Sequence, residues 1–304
     1  MAEKRKRRQA KSRSTENLSE NLPKCKLDFK SKPSSVDEDK PQRFQNPTEA
    51  AEKAKELLMK QRESVDMLTM VRQRVEALPK EEIMKALDNE GYYILDSFLN
   101  DKSAADRLSQ EAKEMFDGEE MEIDTANLGM GEYTVPIKGG TEQYAKCPRS
   151  VELVVSTTKH IPEVFEELVL DASACMANLR VFSASALKAS MSLLLGDDAE
   201  DIGQSTRPFE TVINGDENDK RRLSMQYYLV PEAWNDNCGG GLTFHSSDDG
   251  EASFVSAKND RLILWKSDTT MLRKEIWKGD ADSNEFGGCI ELHLVCKMDD
   301  PVEP

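Results

Sequence analysis

Between residues 223 and 296 the chain alternates short apolar runs with turn-forming clusters, a pattern suited to a layered β structure. The runs cover 223–230, 242–244, 252–255, 261–265, 274–278 and 289–296. Turns separate them at 237–241, 248–250 and 284–288. Helical patterns come first in the chain and this β run comes later, which predicts an α+β chain with its sheets buttressed by helices on one face.

The part before the β run reads in three pieces. Residues 1–45 are rich in Lys, Ser and Pro with almost no aromatic side chains, and are expected to be disordered. Asn46 is placed to cap a helix, with Pro47 at its first position and Glu49 at N3. The helix is expected over 48–78, within a 46–79 segment closed by Pro79, with Leu58, Val65, Leu68 and Val75 on one apolar stripe. That stripe is expected to pack on the following domain, or else to pair with a partner helix. From Lys80 the period changes: Ile83, Met84 and Leu87 are spaced for a helix, Gly91 closes it, 93–98 reads as a strand and 103–116 as another helix. Residues 118–150 read as a turn-rich insert with one short strand at 133–137, and 162–194 as one or two long helices. An acidic tail, 299–304, follows a domain assigned to 80–298.

Charge excludes some functions. Residues 1–13 hold seven Lys/Arg against Glu3, a net of +6, so the rest of the chain carries −22 of the total −16. A folded surface that grips nucleic-acid phosphates needs clustered positive charge, so no specific nucleic-acid partner is expected. The run Lys4-Arg5-Lys6-Arg7-Arg8 has the composition of a nuclear import signal; a solubilising tail is the plainer alternative. No stretch is apolar enough to span a membrane and no secretory leader is read. The six cysteines show no C-x-x-C and are read as reduced thiols of an intracellular protein.

Four ordered blocks carry a family likeness. They are Leu223-Ser-Met-Gln-Tyr227-Tyr228-Leu-Val, Trp234-Asn-Asp-Asn-Cys-Gly239-Gly240-Gly241-Leu-Thr-Phe, Asn259-Asp-Arg261-Leu-Ile-Leu-Trp265-Lys-Ser-Asp268, and a closing strand over 289–295. In this order they resemble the catalytic half of the 2-oxoglutarate- and Fe(II)-dependent dioxygenases of the prolyl hydroxylase type, including the hypoxia-sensing enzymes. The helix–Gly–strand–helix opening at 80–116 extends the likeness. The resemblance implies a double-stranded β-helix, or jelly-roll, core. It also implies a His-x-Asp pair and a later His for iron, and an Arg on the last strand for the distal carboxylate of 2-oxoglutarate.

Those side chains are missing at the matched positions. The His-x-Asp pair falls on Thr211 and Ile213, a neutral hydroxyl and a hydrocarbon. The second His falls on Arg273 or Lys274, cations that repel Fe(II), and the Arg falls at Gly288-Cys289. Tyr228 keeps a position that lines the family's co-substrate pocket, although a Tyr on a core strand also serves packing. The chain has only His160, His245 and His293. A substitute triad of His245, Asp248 and His293 is conceivable. His-x-x-Asp, however, points its two ligands to opposite faces of a strand unless the turn at 246–250 bends them together. His160, beside Pro162, reads as a loop residue.

The leading expectation is therefore a catalytically degenerate dioxygenase-like domain with no cofactor. It would bind a protein or peptide in the former substrate groove. The alternative is an active Fe(II)/2-oxoglutarate dioxygenase that hydroxylates a protein side chain through a non-standard metal site. A third reading makes the 48–78 helix the working part of a structural subunit.

Overall fold

The computed structural model describes residues 66–125, 130–183, 187, 192–193, 208–216, 218–245, 252–277 and 286–297. The chain divides between Leu58 and Met59 into two units, and every described residue belongs to the second. The basic tail, its 4–8 run, the 48–65 part of the expected helix and the acidic C-terminal tail lie outside the described residues.

Helix α1, Met67–Glu76, starts where the Asp66 carboxylate accepts a hydrogen bond from Thr69 N. Asp66 itself has extended backbone (ψ 94°), so the helix expected to run unbroken over 48–78 has a start at this point instead. Its buried stripe is Met67, Val71 and Val75, while Leu68 is 41% exposed, one step off the expected stripe. Helix α2, Lys80–Asn89, buries Ile83 and Leu87 and leads through Gly91 into strand β1, Tyr92–Leu95. Asp101 then caps α3, Lys102–Asp117, through Ala104 N at 3.0 Å. Strands β2, Glu122–Ile123, and β3, Glu132–Pro136, follow, then the short α4, Thr141–Lys146, and α5, Pro148–Val164.

Two sequence expectations fail here. His160 lies within α5, whose last turn also contains Pro162, because a proline near a helix end removes only one late hydrogen bond. And Leu170–Phe182, expected within the helices of 162–194, is a 13-residue strand, β4. Its Ala- and Met-rich first half favours a helix locally. Pairing with neighbours on both sides of its second half overrides that preference.

The β run then builds the rest: β5, Arg221–Leu229; β6, Leu242–His245; β7, Ala252–Val255; β8, Leu262–Lys266; β9, Met271–Lys274; and β10, Gly287–Cys296. The strand expected at 274–278 thus sits earlier, and Trp277 is left to form an isolated bridge to Gly239. The large sheet is antiparallel, in the order β1-β8-β5-β10-β4-β3-β2, and the small one runs β7-β6-β9. Residues 209–213 continue the small sheet, since Glu210 and Leu272 exchange two backbone bonds of 3.0 Å. This is the expected jelly roll.

Two apolar clusters stabilise it. One packs the helices on the outer face of the large sheet, through Ile83, Leu108, Ile161, Leu179, Leu264 and Leu292 among others. The second fills the barrel between the sheets with Phe182, Tyr228, Trp234, Phe244, Trp265, Leu272 and Trp277. Asp260 locks the two ends of the sheet together: its carboxylate accepts from Leu99 N, Asn100 N and Tyr227 Oη at 2.8–2.9 Å.

Candidate functional site

Alternation along β10 sorts its side chains into two sets. Ile290, Leu292 and Leu294 enter the cluster under the helices. Cys289 enters the barrel cluster, and Glu291 and His293 share its face. Across the ladder, β4 turns Leu179 and Val181 outward to the helices, so Arg180 points into the barrel beside Cys289.

Arg180 sits at the centre of a buried ionic network. Its guanidinium meets Asp124 at 2.5 Å, Glu132 at 2.8 Å and Glu291 at 2.7 Å. The second oxygen of Glu291 accepts from Lys274 Nζ at 2.8 Å, and that of Glu132 from Trp277 Nε1 at 2.6 Å. Burial alone disfavours a charged Arg180. The carboxylates of Glu291, Glu132 and Asp124 reverse this and hold it cationic, well above its ordinary range. Burial likewise pushes the Glu291 carboxyl up, but Lys274 and Arg180 outweigh it and keep the group ionised, well below the usual range.

His293 belongs to the same layer. Burial pushes its imidazole down to about 4, so it is neutral at pH 7. Its Nδ1 is 2.7 Å from Ser224 Oγ, which is 2.7 Å from Ser267 Oγ, and its Nε2 is 3.6 Å from Glu291 Oε1. Ser224, His293 and Glu291 therefore follow the hydroxyl–imidazole–carboxylate order of a nucleophilic triad. Ser224 is completely buried and bonded to Ser267, so its hydroxyl is not presented to a substrate. The arrangement links β5 and β10 to the end of β8.

The sequence-matched positions fall around this network. Of the two cations proposed for the second His, Lys274 points inward to Glu291. Arg273 points outward, 4.9 Å from the Phe209 ring centroid and 3.0 Å from Glu275. The Thr211 hydroxyl accepts from Asn214 N at 3.1 Å and is engaged in a turn. Ile213 N donates to Ser267 O, and Val212 between them packs against the barrel cluster. Gly288, at the expected Arg, leaves no room: a Cβ there would lie 2.7 Å from the Arg180 carbonyl oxygen. Tyr228 is fully buried, its hydroxyl has no hydrogen-bond partner, and burial raises its pKa well above the ordinary value.

The Trp277 indole occupies the space beside Tyr228. It stacks on Phe182 at 6.1 Å, meets Trp234 at 5.8 Å and Tyr228 at 6.3 Å, and lies over Gly240 (φ +76°), where a Cβ would come within 2.4 Å of its ring. The glycine turn of the second sequence block is thus the seat of this indole.

His245 and His293 are not brought together. His245 ends β6 on the small sheet and touches Phe209, whereas its neighbour Phe244 faces the barrel. Asp248 lies outside the described residues. Among the described residues no three His, Cys, Asp or Glu side chains are arranged to hold a metal ion. Sequence reasoning missed Arg180, Asp124, Glu132 and Trp277. A usable signal was the isolated charge in two apolar strands, Leu-Arg180-Val-Phe and Ile-Glu291-Leu, since a buried charge needs a partner.

No family model matches the chain, and no curated protein does. Solved structures do. A prolyl 4-hydroxylase from Phytophthora capsici superposes with a TM-score of 0.52 at 16% identity, over 77% of this chain and 66% of that one. The fold is that of a prolyl 4-hydroxylase. The match takes in just under two thirds of that enzyme's length. A Pseudomonas putida prolyl-4-hydroxylase gives a TM-score of 0.49 at 14% identity, covering 72% of this chain and 100% of that one. A Trichoplax adhaerens prolyl hydroxylase, in complex with a hypoxia inducible factor oxygen degradation domain peptide fragment, also gives 0.49 at 14%, over 73% and 90%. At such identities the likeness is one of fold. Also among the described residues, no helix of the prolyl-hydroxylase fold is long and apolar enough to cross a membrane.

Proposed function

We propose that this chain is a non-catalytic protein-binding module built on the prolyl-hydroxylase fold. One observation carries the reading: the Lys274 ammonium, at the position matched to a metal-binding His, is ion-paired inside the barrel with Glu291. A cation built into that place supplies by covalent attachment the positive charge that iron would bring. It leaves Glu291 with no free oxygen to offer, because Arg180 holds the other one.

The residues do not fit the family's cofactors. Iron needs imidazole or carboxylate donors with open positions, and Thr211, Ile213 and Lys274 supply none. The distal carboxylate of 2-oxoglutarate needs a cation on the last strand. Gly288 has no side chain there, its surroundings refuse one, and the Trp277 indole lies against Tyr228. The orphaned Tyr228 hydroxyl is the single remnant that favours the alternative, an active oxygenase.

The partner on this reading is a protein segment at the barrel mouth. The 48–78 helix and the basic 4–8 run would add partner contact and nuclear address; both proposals fall largely or wholly outside the described residues. The decisive experiment is anaerobic. Fe(II) and 2-oxoglutarate are added to the full chain, and the visible spectrum and thermal midpoint are recorded. The expected result is no metal-to-ligand charge-transfer band and no stabilisation by either component. A band, or oxygen-dependent succinate formation, would establish the oxygenase instead.

A further inference from the structure

On the far side of the large sheet, away from the barrel, β4 has an open edge. Strand β3 pairs with β4 only from Phe182 to Asn178, and Ile137 N adds one bond to Ala177 O at 2.8 Å. There the β3 chain is turned away. Lys138 N and Gly139 N both donate to Gln143 Oε1, and Gln143 Nε2 donates back to Pro136 O. Among the described residues no strand continues the sheet along β4 before Ala177. The Ala177 carbonyl faces the β3 side, and strand alternation gives Cys175 the same direction for its N–H and C=O. Further on, Ser173 N is satisfied by Asp171 Oδ1 at 2.7 Å, which blunts the rest of the edge.

This edge borders a groove of about 700 Å³ between β4 and α5, within the range of real binding clefts. Ile137, Val151, Val154 and Ala177 line it with hydrocarbon, and Val155 on α5 opens into it with 49% of its surface exposed. Lys138 and Lys159 line the groove too, and neither forms an ion pair within the described residues. On a chain of net charge −16, two exposed and unpaired lysines beside an apolar groove select for an anionic partner.

We propose that this groove binds an extended segment of a partner protein, which adds as a strand to the β4 edge at Cys175–Ala177. Alternate apolar residues of the segment would enter against α5, and acidic residues would flank them to meet Lys138 and Lys159. Backbone pairing supplies affinity and the groove supplies selectivity, as in other strand-addition interfaces. The proposal is independent of the barrel interior, which lies on the other face of β4.

The test uses the full chain and a fluorescein-labelled synthetic peptide with valine at alternate positions and glutamate at both ends. Anisotropy titration measures binding, and amide exchange locates it. Saturable binding is expected, with protection centred on 172–177. N-methylation of the peptide's alternate amides, or lysine ends, should weaken it at least tenfold. A Lys138→Glu/Lys159→Glu double variant, altered only at exposed side chains, should reverse the preference to the lysine-ended peptide. Val155→Asp should weaken both. Absence of binding up to about 1 mM overturns the proposal. So does equal affinity for the N-methylated peptide, or protection elsewhere. A concentration-dependent dimer that protects the same residues would assign the edge to a second copy of this chain and overturn it as well.

Discussion

The two faces of β10 meet different neighbours and carry different chemistry. The outer face, Ile290, Leu292 and Leu294, is closed by helices with hydrocarbon alone. The inner face, Cys289, Glu291 and His293, meets Arg180, Lys274 and Ser224. Apolar packing is tolerant, because volume and pattern suffice to fill the space. The ionic layer is not, because each charge is stable only while its partners stay in place. In a prolyl-hydroxylase fold the inner face is where a reactive centre is built. Here the same positions form a closed set of charges whose members satisfy one another.

The largest effect should come from Arg180→Met, which strands three buried carboxylates. A loss of about 3–5 kcal/mol is expected in urea unfolding. Leu292→Ala on the outer face of the same sheet should cost about 2–4 kcal/mol, by a cavity instead of a charge. If Leu292→Ala proved the more costly, the two faces would not differ as argued.

Acid should separate them next. His293 titrates at about 4 in the fold against 6.5 when unfolded, so its contribution is fully present above 6.5 and is lost as the pH falls towards 4. The loss amounts to about 3 kcal/mol. Glu291, whose folded pKa is depressed, adds a further loss at lower pH, below the ordinary carboxylate range. Stability measured from pH 7 to 4 should therefore fall, and His293→Gln should flatten that slope, whereas Leu292→Ala should leave it unchanged.

A smaller effect sharpens the comparison. Replacing the Lys274–Glu291 pair together, Lys274→Met with Glu291→Leu, should cost much less than either change alone, by about 2 kcal/mol in a double-mutant cycle. The remaining Arg180 contacts to Asp124 and Glu132 keep the residual cost above zero. Smallest of all, Tyr228→Phe removes a buried hydroxyl that has no partner, so stability should be unchanged or higher by up to about 1 kcal/mol. A clear loss would mean that the hydroxyl has a partner after all.

The strands from β5 to β10 were legible because their side chains alternate and Gly- and Asp-rich turns punctuate them. β4 was not, because Asp171-Ala-Ser-Ala-Cys-Met-Ala carries no alternation and its strand state is imposed by β10 and β3. Lys274 was legible as a cation where a ligand was due, and the register of β9 then separated it from Arg273. The partners of Lys274 could not be read from spacing. Asp124, Glu132 and Arg180 stand in three separate elements, and only the closed barrel brings their charges within 3 Å. Trp277 was visible but placed in a strand, since nothing local distinguishes an indole that pairs in a ladder from one that plugs a cavity.

Gly288 bears on whether this architecture can be undone. Installing the missing guanidinium is a single codon's work, yet its first carbon collides with the backbone of the adjacent strand. A route back to a working oxygenase must first shift β4. Arg180, the residue whose carbonyl blocks the way, is also the one that holds the interior charges together. The neighbouring strand therefore acts as a ratchet, and drift at the rim and loops is far easier than a return to chemistry at the centre.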